Sequence, residues 1–394
     1  MPRYDMAFGV YIHFPYCLSK CSYCDFASRA VREPPHRRYA QAIAREAELR
    51  AASVRGREAI SIYIGGGTPS LWEPASLGRA LDAVKASVAL LPGAEQTLEA
   101  NPGASDASRF TAFRRLGLNR ISIGIQSFDR AVLERLGRIH TVEEAEAAFH
   151  FAREAGFENV ALDLIYGAPG QDSAMARSDA ARAVSLGPEH LSCYALTLEE
   201  LAIEVPMARE VRSGKLHVPD SDAQWQMGRE VSAELTKAGY ARYEISNFAL
   251  PGREARHNML YWTGGEYLGL GCGACGFLLQ DPGDPSRGGR RWGNHRSPER
   301  YLEDVEAGRR PEAWSEELDA EMLLHERIAM GLRTVAGLDL LEACKRLKRD
   351  PAKLLEVARE LAASGLATVE DGRVSLTEKG MDFHTEVAAR FFCR

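Results

Sequence analysis

At 394 residues, 45% hydrophobic and 26% charged, the chain is long enough to bury one large core and a smaller one, and a net charge of −6 argues against a broadly basic nucleic-acid surface. No apolar run approaches the length of a membrane span, and Met1-Pro-Arg-Tyr-Asp5 leads into the first strand without the pattern of a signal peptide. A cytoplasmic protein without a transmembrane segment is expected, with peripheral membrane contact left open.

The first strand-like run, Phe8–Phe14, is followed at once by Cys17, Cys21 and Cys24. Three thiolates on one short loop can hold three corners of a cubane [4Fe–4S] cluster, whose fourth iron is left open to a small molecule. A zinc site would want a fourth ligand nearby, and a disulfide framework an even number of cysteines in a secretory setting. Neither condition is met, and unpaired cysteines elsewhere fit a reducing compartment. The second run, Ile60–Ile64, ends in Gly65-Gly-Gly-Thr-Pro69, where missing side chains let backbone groups approach a ligand.

Further strands are read at Thr97–Ala100, Arg120–Ile125, Val160–Ile165 and Leu191–Leu196. Helical periodicity lies between them at Tyr39–Ala52, Leu77–Ala89, Ser108–Leu116, Val142–Ala155 and Ser178–Val184, and continues at Ala223–Lys237. Strand alternating with helix calls for a parallel sheet, and six units give a partial, open (β/α)6 barrel within residues 1–240. Each strand ends in a polar residue or glycine, and barrels assemble their sites from such ends. Taken singly, each would be a cap or turn residue.

Residues 241–315, with a Gly-rich tract at Gly264–Gly276 and a Pro/Gly/Arg loop at Asp281–Pro298, read as connecting or ligand-covering structure. Residues 316–394 turn helical at Ala320–Gly331, Leu338–Leu347 and Pro351–Ser364. A hairpin at Leu366–Thr377 with an Asp-Gly turn then completes a winged-helix-like unit. Its basic cluster, Lys345, Arg346, Lys348 and Arg349, is surrounded by acidic residues and reads as a solvated helix face, so no nucleic-acid partner is expected.

The cysteine spacing, with Tyr23 before the last cysteine and GGGTP one β/α unit later, resembles the radical S-adenosylmethionine (SAM) superfamily. Tyr11-Ile-His-Phe-Pro15, Leu98-Glu-Ala-Asn-Pro102, Ser122-Ile-Gly-Ile-Gln-Ser-Phe128, Leu136-Gly-Arg138 and Leu162-Asp-Leu-Ile-Tyr-Gly167 extend the resemblance to the oxygen-independent coproporphyrinogen III oxidase-like group. The resemblance implies that Cys17, Cys21 and Cys24 ligate a [4Fe–4S] cluster and that Tyr11, Tyr23, Gly66, Gly67, Thr68 and Glu99 contact cluster-bound SAM. Gln126, Arg138 and Asp163 match residues that hold a second SAM in the oxidases.

Two departures separate the chain from those enzymes: Phe26 stands where they carry an extra cysteine, and sixteen residues before Cys17 are too few for their substrate-holding arm. The loop instead resembles the HemW branch, the haem chaperones, as does His257-Asn258-Met-Leu-Tyr261-Trp262, which matches a motif associated with haem binding. Without the family, His257 beside aromatics is a hydrogen-bonded structural residue; with it, an axial ligand for haem. Arg287, Arg290, Arg291 and Arg296 offer partners for the propionates.

Cys275 stands where relatives carry His or Ser, making a CxxC with Cys272 that is not a c-type haem attachment because Gly276 follows. The resemblance therefore implies a protein that binds haem and passes it to an acceptor such as a respiratory haem protein, with an electron donor needed if SAM is cleaved, and names no catalytic residue. The rival readings are a coproporphyrinogen oxidase, a radical SAM haem-degrading methyltransferase, and a DNA-binding or structural protein with a vestigial cluster.

Overall fold

The computed structural model describes residues 8–103, 108–198 and 204–392; Met1–Asp5 lies outside them. Six parallel strands run in sequence order: β1 (Phe8–Phe14), β2 (Glu58–Gly66), β3 (Ala89–Ala100), β4 (Arg120–Gln126), β5 (Val160–Tyr166) and β6 (His190–Ala195). Helices α1 (His36–Arg50), α2 (Pro74–Ser87), α3 (Val142–Glu154), α4 (Ser173–Leu186) and α5 (Ser221–Lys237) follow individual strands, as the periodicity predicts, and a short helix at Phe110–Arg115 joins β3 to β4. Thr141 and Glu144 form a reciprocal capping box at the start of α3, a contribution of about 1 kcal/mol.

The two faces of each strand carry different chemistry. Phe8, Val10, Ile12 and Phe14 of β1 and Ile62 and Ile64 of β2 pack into the main apolar core. The alternate residues, Gly9, Tyr11 and His13 beside Ser61, Tyr63 and Gly65, share the opposite face, where Ser61 and Tyr63 meet His257. That face is polar and builds the site.

The sheet does not stop at the sixth strand, and here the expectation of connecting structure for residues 241–315 needs correcting. At one edge β7 (Ala241–Arg242) pairs antiparallel with β8 (Asn247–Ala249), which pairs antiparallel with β6. At the other, β9 (Glu266–Leu270) pairs parallel with β1 and is followed by antiparallel β10 (Cys275–Leu279), β11 (Gly289–Asn294) and β12 (Glu312–Leu318), giving a sheet of 12 strands. The Gly-rich tract reads as a loop because glycine is rare in strands, but a Cβ on Gly269 would lie 1.9 Å from the Cys275 carbonyl oxygen, and one on Gly276 2.1 Å from the Trp292 ring. Glycine here is what lets β9, β10 and β11 pack.

Between β8 and β9 the chain crosses the barrel's open side, and α6 (Arg256–Trp262) forms in that crossing. A buried network ties the extension to the barrel. Glu46 of α1, fully buried, accepts from Arg50 Nε (2.9 Å), Asn294 Nδ2 (2.8 Å), the Gly271 amide (2.8 Å) and the hydroxyl of Tyr301 (2.9 Å) in α7 (Pro298–Glu306).

The carboxy-terminal region has its own apolar core, joined by Phe277 of β10. It contains α8 (Ala320–Gly331), helices Leu340–Arg346 and Ala352–Ala363, and the hairpin Ala367–Glu370 with Arg373–Leu376. Asp371 and Gly372 both take positive φ (49° and 82°), the type I′ geometry that an Asp-Gly turn suits. Leu338–Asp339, expected to open a helix, pairs instead with this hairpin as a third strand.

Candidate functional site: one barrel cavity and its wall

Strands β2 to β6 and the cysteine loop surround a cavity of about 450 Å³. Eleven residues singled out from the sequence, Cys17, Cys21, Tyr23, Cys24, Gly66, Gly67, Thr68, Glu99, Gln126, Arg138 and Asp163, line it together. Tyr11 and His257 do not, and neither do Cys272 and Cys275.

The cysteine loop is pinned at its start by backbone bonds from Gly67 N to Phe14 O (2.7 Å) and Thr68 N to Tyr16 O (2.9 Å). The glycines are required here by packing as well as lining the cavity. A Cβ on Gly67 would sit 2.7 Å from Tyr16 O, and one on Gly66, whose φ is +113°, 2.5 Å from the His13 ring. His13 Nε2 meets the Ala27 carbonyl at 2.9 Å, which can only accept, so Nδ1 accepts from the Tyr11 hydroxyl at 2.9 Å. Burial lowers His13 to a pKa of about 4, so this clamp under the loop is neutral.

Arg138 stitches the far side of the loop. Its guanidinium donates to Cys21 Sγ (3.4 Å), Asn101 Oδ1 (2.8 Å) and Gly124 O (2.9 Å), while its buried Nε has no partner. Asn101 in turn donates to Thr68 Oγ1 at 3.0 Å. Burial raises the thiols of Cys17 and Cys24, outweighing the smaller opposing pulls of Arg138 on the first and Lys20 on the second.

Glu99 accepts from Tyr63 Oη (2.7 Å) and the Gly66 amide (3.0 Å). Burial pushes its pKa up to about 7 against the pull of those donors, with Asp163 adding repulsion. Asp163, also raised by burial, accepts from Ser122 at 3.1 Å. Gln126 takes φ 73°, a left-handed backbone rare outside glycine, at the strand tip where its pairing register shifts. Tyr63 is a site residue that the motifs do not single out; the signal available is period-two alternation, which puts it on the same face as Ser61 and Gly65.

His257 lies beneath this cavity, 1% exposed, with both nitrogens engaged: Nδ1 with Ser61 Oγ at 2.8 Å and Nε2 with Tyr261 Oη at 2.9 Å. It stacks on Tyr63 (5.2 Å) and Tyr11 (6.3 Å), and burial lowers its pKa to about 3. Glu95 accepts from the amides of Arg256 and His257 at 3.1 Å each, fixing the start of α6. The arginines proposed for propionates are also engaged: Arg287 with Asp281, Arg290 with Glu312, Arg291 with Glu326 and Arg296 with the Asp25 carbonyl. None of the four lines the barrel cavity.

A parallel barrel with a three-cysteine loop at its strand tips defines a radical SAM protein, and residues 11–180 match the Radical SAM superfamily model while residues 318–383 match the HemN C-terminal domain. Relatives named "Heme chaperone HemW" are 38% identical over 386 residues in Mycobacterium tuberculosis (96% of this chain, 93% of the relative), 32% over 387 in Bacillus subtilis (97% and 98%), and 44% over 269 in Escherichia coli (68% and 69%). The chain belongs to the HemW family. In fold it also matches coproporphyrinogen III oxidase (HemN) from Escherichia coli, with TM-score 0.81 and 22% identity over 99% of this chain and 91% of that one.

Membership of the superfamily implies a [4Fe–4S] cluster and SAM, and the donor set fits both. Among the described residues no three His, Cys, Asp or Glu side chains converge as they would on a single ion, whereas each thiolate of a cubane binds its own iron. Beside the loop stand a carboxylate, Glu99, suited to an ammonium group, and a guanidinium, Arg138, suited to a carboxylate.

Proposed function

We propose that this chain is a haem chaperone that holds a [4Fe–4S] cluster on Cys17, Cys21 and Cys24, binds SAM beside it, and delivers haem to an acceptor protein in the cytoplasm. The observation that carries the reading is the convergence of the eleven motif residues on one cavity in a chain whose full-length relatives are named haem chaperones. When bound, the cluster would supply an electron to SAM through its open iron.

The chain's own groups divide the work around that cofactor. Glu99, ionised, accepts from the SAM ammonium group; Gly66, Gly67 and Thr68 form the wall against which it lies; Arg138 holds both the cysteine loop and an incoming carboxylate. Gln126 and Asp163 line the inner part of the cavity, where a second ligand would sit. The three units 1–240, 241–315 and 316–394 correspond in this reading to cofactor barrel, motif-bearing wall and terminal cap.

Haem titration of the cluster-loaded protein, run beside an anaerobic assay with coproporphyrinogen III, SAM and a reductant, tests the proposal. Saturable haem binding without protoporphyrinogen formation is expected. Turnover to protoporphyrinogen would replace the chaperone reading with the oxidase one, for which Phe26, 58% exposed at the cavity rim, occupies the position of the enzymes' additional cysteine.

A further inference from the structure

Helix α6 parts two cavities. On its outer side, toward the carboxy-terminal helices, a space of about 360 Å³ is lined by Tyr261, Trp262, Tyr267 and Phe277 among others. On its inner side Asn258 lines the barrel cavity. Arg120 and His190, the first residues of β4 and β6, line that cavity too, at the end of the strands away from the cysteine loop.

Arg120 is 2% exposed, and among the described residues no carboxylate comes within ion-pair distance of it. Its hydrogen bonds leave from one nitrogen, Nη1, and go to neutral acceptors, Asn159 Oδ1 at 3.1 Å and the Arg253 carbonyl at 3.2 Å. Asp163, on the neighbouring strand, feels the Arg120 charge but is held instead by the Ser122 hydroxyl at 3.1 Å. A guanidinium taken out of water without a counterion is rare in a folded protein.

His190 is 1% exposed, and its Nδ1 has no partner. Its Nε2 lies 2.8 Å from the Tyr243 hydroxyl, which accepts from the Ala255 amide at 3.4 Å. Among the described residues Nε2 is the acceptor for that hydroxyl's hydrogen, so the ring, kept neutral by burial, carries its own hydrogen on Nδ1 as an unmet donor. Asn258, three residues beyond Ala255, makes no side-chain hydrogen bond among the described residues and presents its amide to the cavity it lines.

A guanidinium, an imidazole N–H and a carboxamide N–H thus meet at the cavity floor. Water would satisfy the last two and leave the Arg120 charge unanswered. An anion answers all three. One cation here, in a cavity that also holds Glu99 and Asp163, suits a single negative charge better than the two of a phosphate. A carboxylate carries that charge on two oxygens with lone pairs for every donor.

Resting on the reading that the cluster and SAM occupy the cysteine end of this cavity, we infer that its opposite end is a carboxylate site, where Arg120, His190 and Asn258 hold the acid group of a second ligand. The motif on α6 is then divided, with Asn258 facing the barrel and Tyr261 and Trp262 the space beyond.

Cluster-loaded, full-length protein is titrated by anaerobic calorimetry with propionate, propionamide, L-alanine and inorganic phosphate. Propionate should bind saturably, and propionamide and phosphate at least about tenfold more weakly. Arg120→Gln should weaken propionate about tenfold or more, and so should Asn258→Asp, which sets a like charge at a position with no structural partner. The alanine arm names the source of the acid group. Tighter binding than propionate assigns it to an aminocarboxylate such as that of SAM, and weaker binding to the propionate arm of a tetrapyrrole.

If propionamide or phosphate binds as tightly as propionate, if both variants leave propionate affinity unchanged, or if no carboxylate binds up to about 100 mM, the floor assignment is overturned. Loss of haem binding beside intact propionate binding would instead remove the chaperone reading and leave this site standing. Thermal melts of each variant, and the amide comparison on unaltered protein, separate lost affinity from lost folding.

Discussion

The barrel cavity and the cavity beyond α6 are neighbours of similar size built on opposite chemical plans. The first is the more polar, gathers titratable groups, and is lined by alternate residues of the barrel strands together with the cysteine loop. The second is aromatic and aliphatic, with arginines in its lining, and assembled from a helix, three strands and two carboxy-terminal helices. A cavity suited to a polar cofactor needs many directed donors at fixed positions, whereas a mainly apolar one offers area and few directed bonds.

The sharpest way to break the comparison is to empty the first cavity alone. Changing Cys17, Cys21 and Cys24 together to alanine should abolish cluster iron and its charge-transfer absorbance after anaerobic reconstitution. Retained cluster absorbance in the triple variant would overturn the assignment of these three thiols.

Next in size, Glu99→Gln should weaken SAM binding about 10- to 100-fold at pH 8, the loss of a charge-assisted bond to an ammonium group. At pH 6 the gap should narrow, because wild-type Glu99, with its pKa near 7, is then mostly protonated. The same shift has a stability consequence. A carboxyl whose folded pKa exceeds its unfolded one stabilises fully below the unfolded value and loses that contribution as pH rises through about 7. Glu99→Gln should therefore flatten the decline in stability between about pH 4.5 and 7, read by urea denaturation at each pH.

His257→Ala strikes the shared wall and should cost about 2–4 kcal/mol in urea denaturation, since two buried hydroxyls, Ser61 and Tyr261, lose their partner and a space opens between them. The wild-type margin over this variant should shrink as pH falls from about 6.5 toward 3, because His257 is held neutral in the fold and must be charged in the unfolded chain. Tyr261→Phe removes one bond and keeps the ring; a loss of about 1 kcal/mol is expected.

How much of this was legible in the chain follows the same division. The six parallel strands and the cysteine loop could be read because apolar runs ended in recognisable residues, and parallel strands bring their carboxyl ends to one place; the roles of Glu99, Arg138 and Asp163 came from the family resemblance. Tyr11 could be placed on β1 but not in the cavity, since its ring turns to His13, Tyr63 and His257 instead. The partner of His257, Ser61, lies 196 residues away, and nothing local announces it. Strands β9 to β11 hid behind their glycines, and the second cavity behind residues that individually read as ordinary amphipathic pattern.

Glu46 carries a last implication for the outer ladder. With Arg50 and Asn294 it rivets that ladder to the first barrel helix, and pulling the joint apart would strand a buried charge at about 3–5 kcal/mol. The outer strands are therefore expected to open from the barrel only when the barrel itself unfolds.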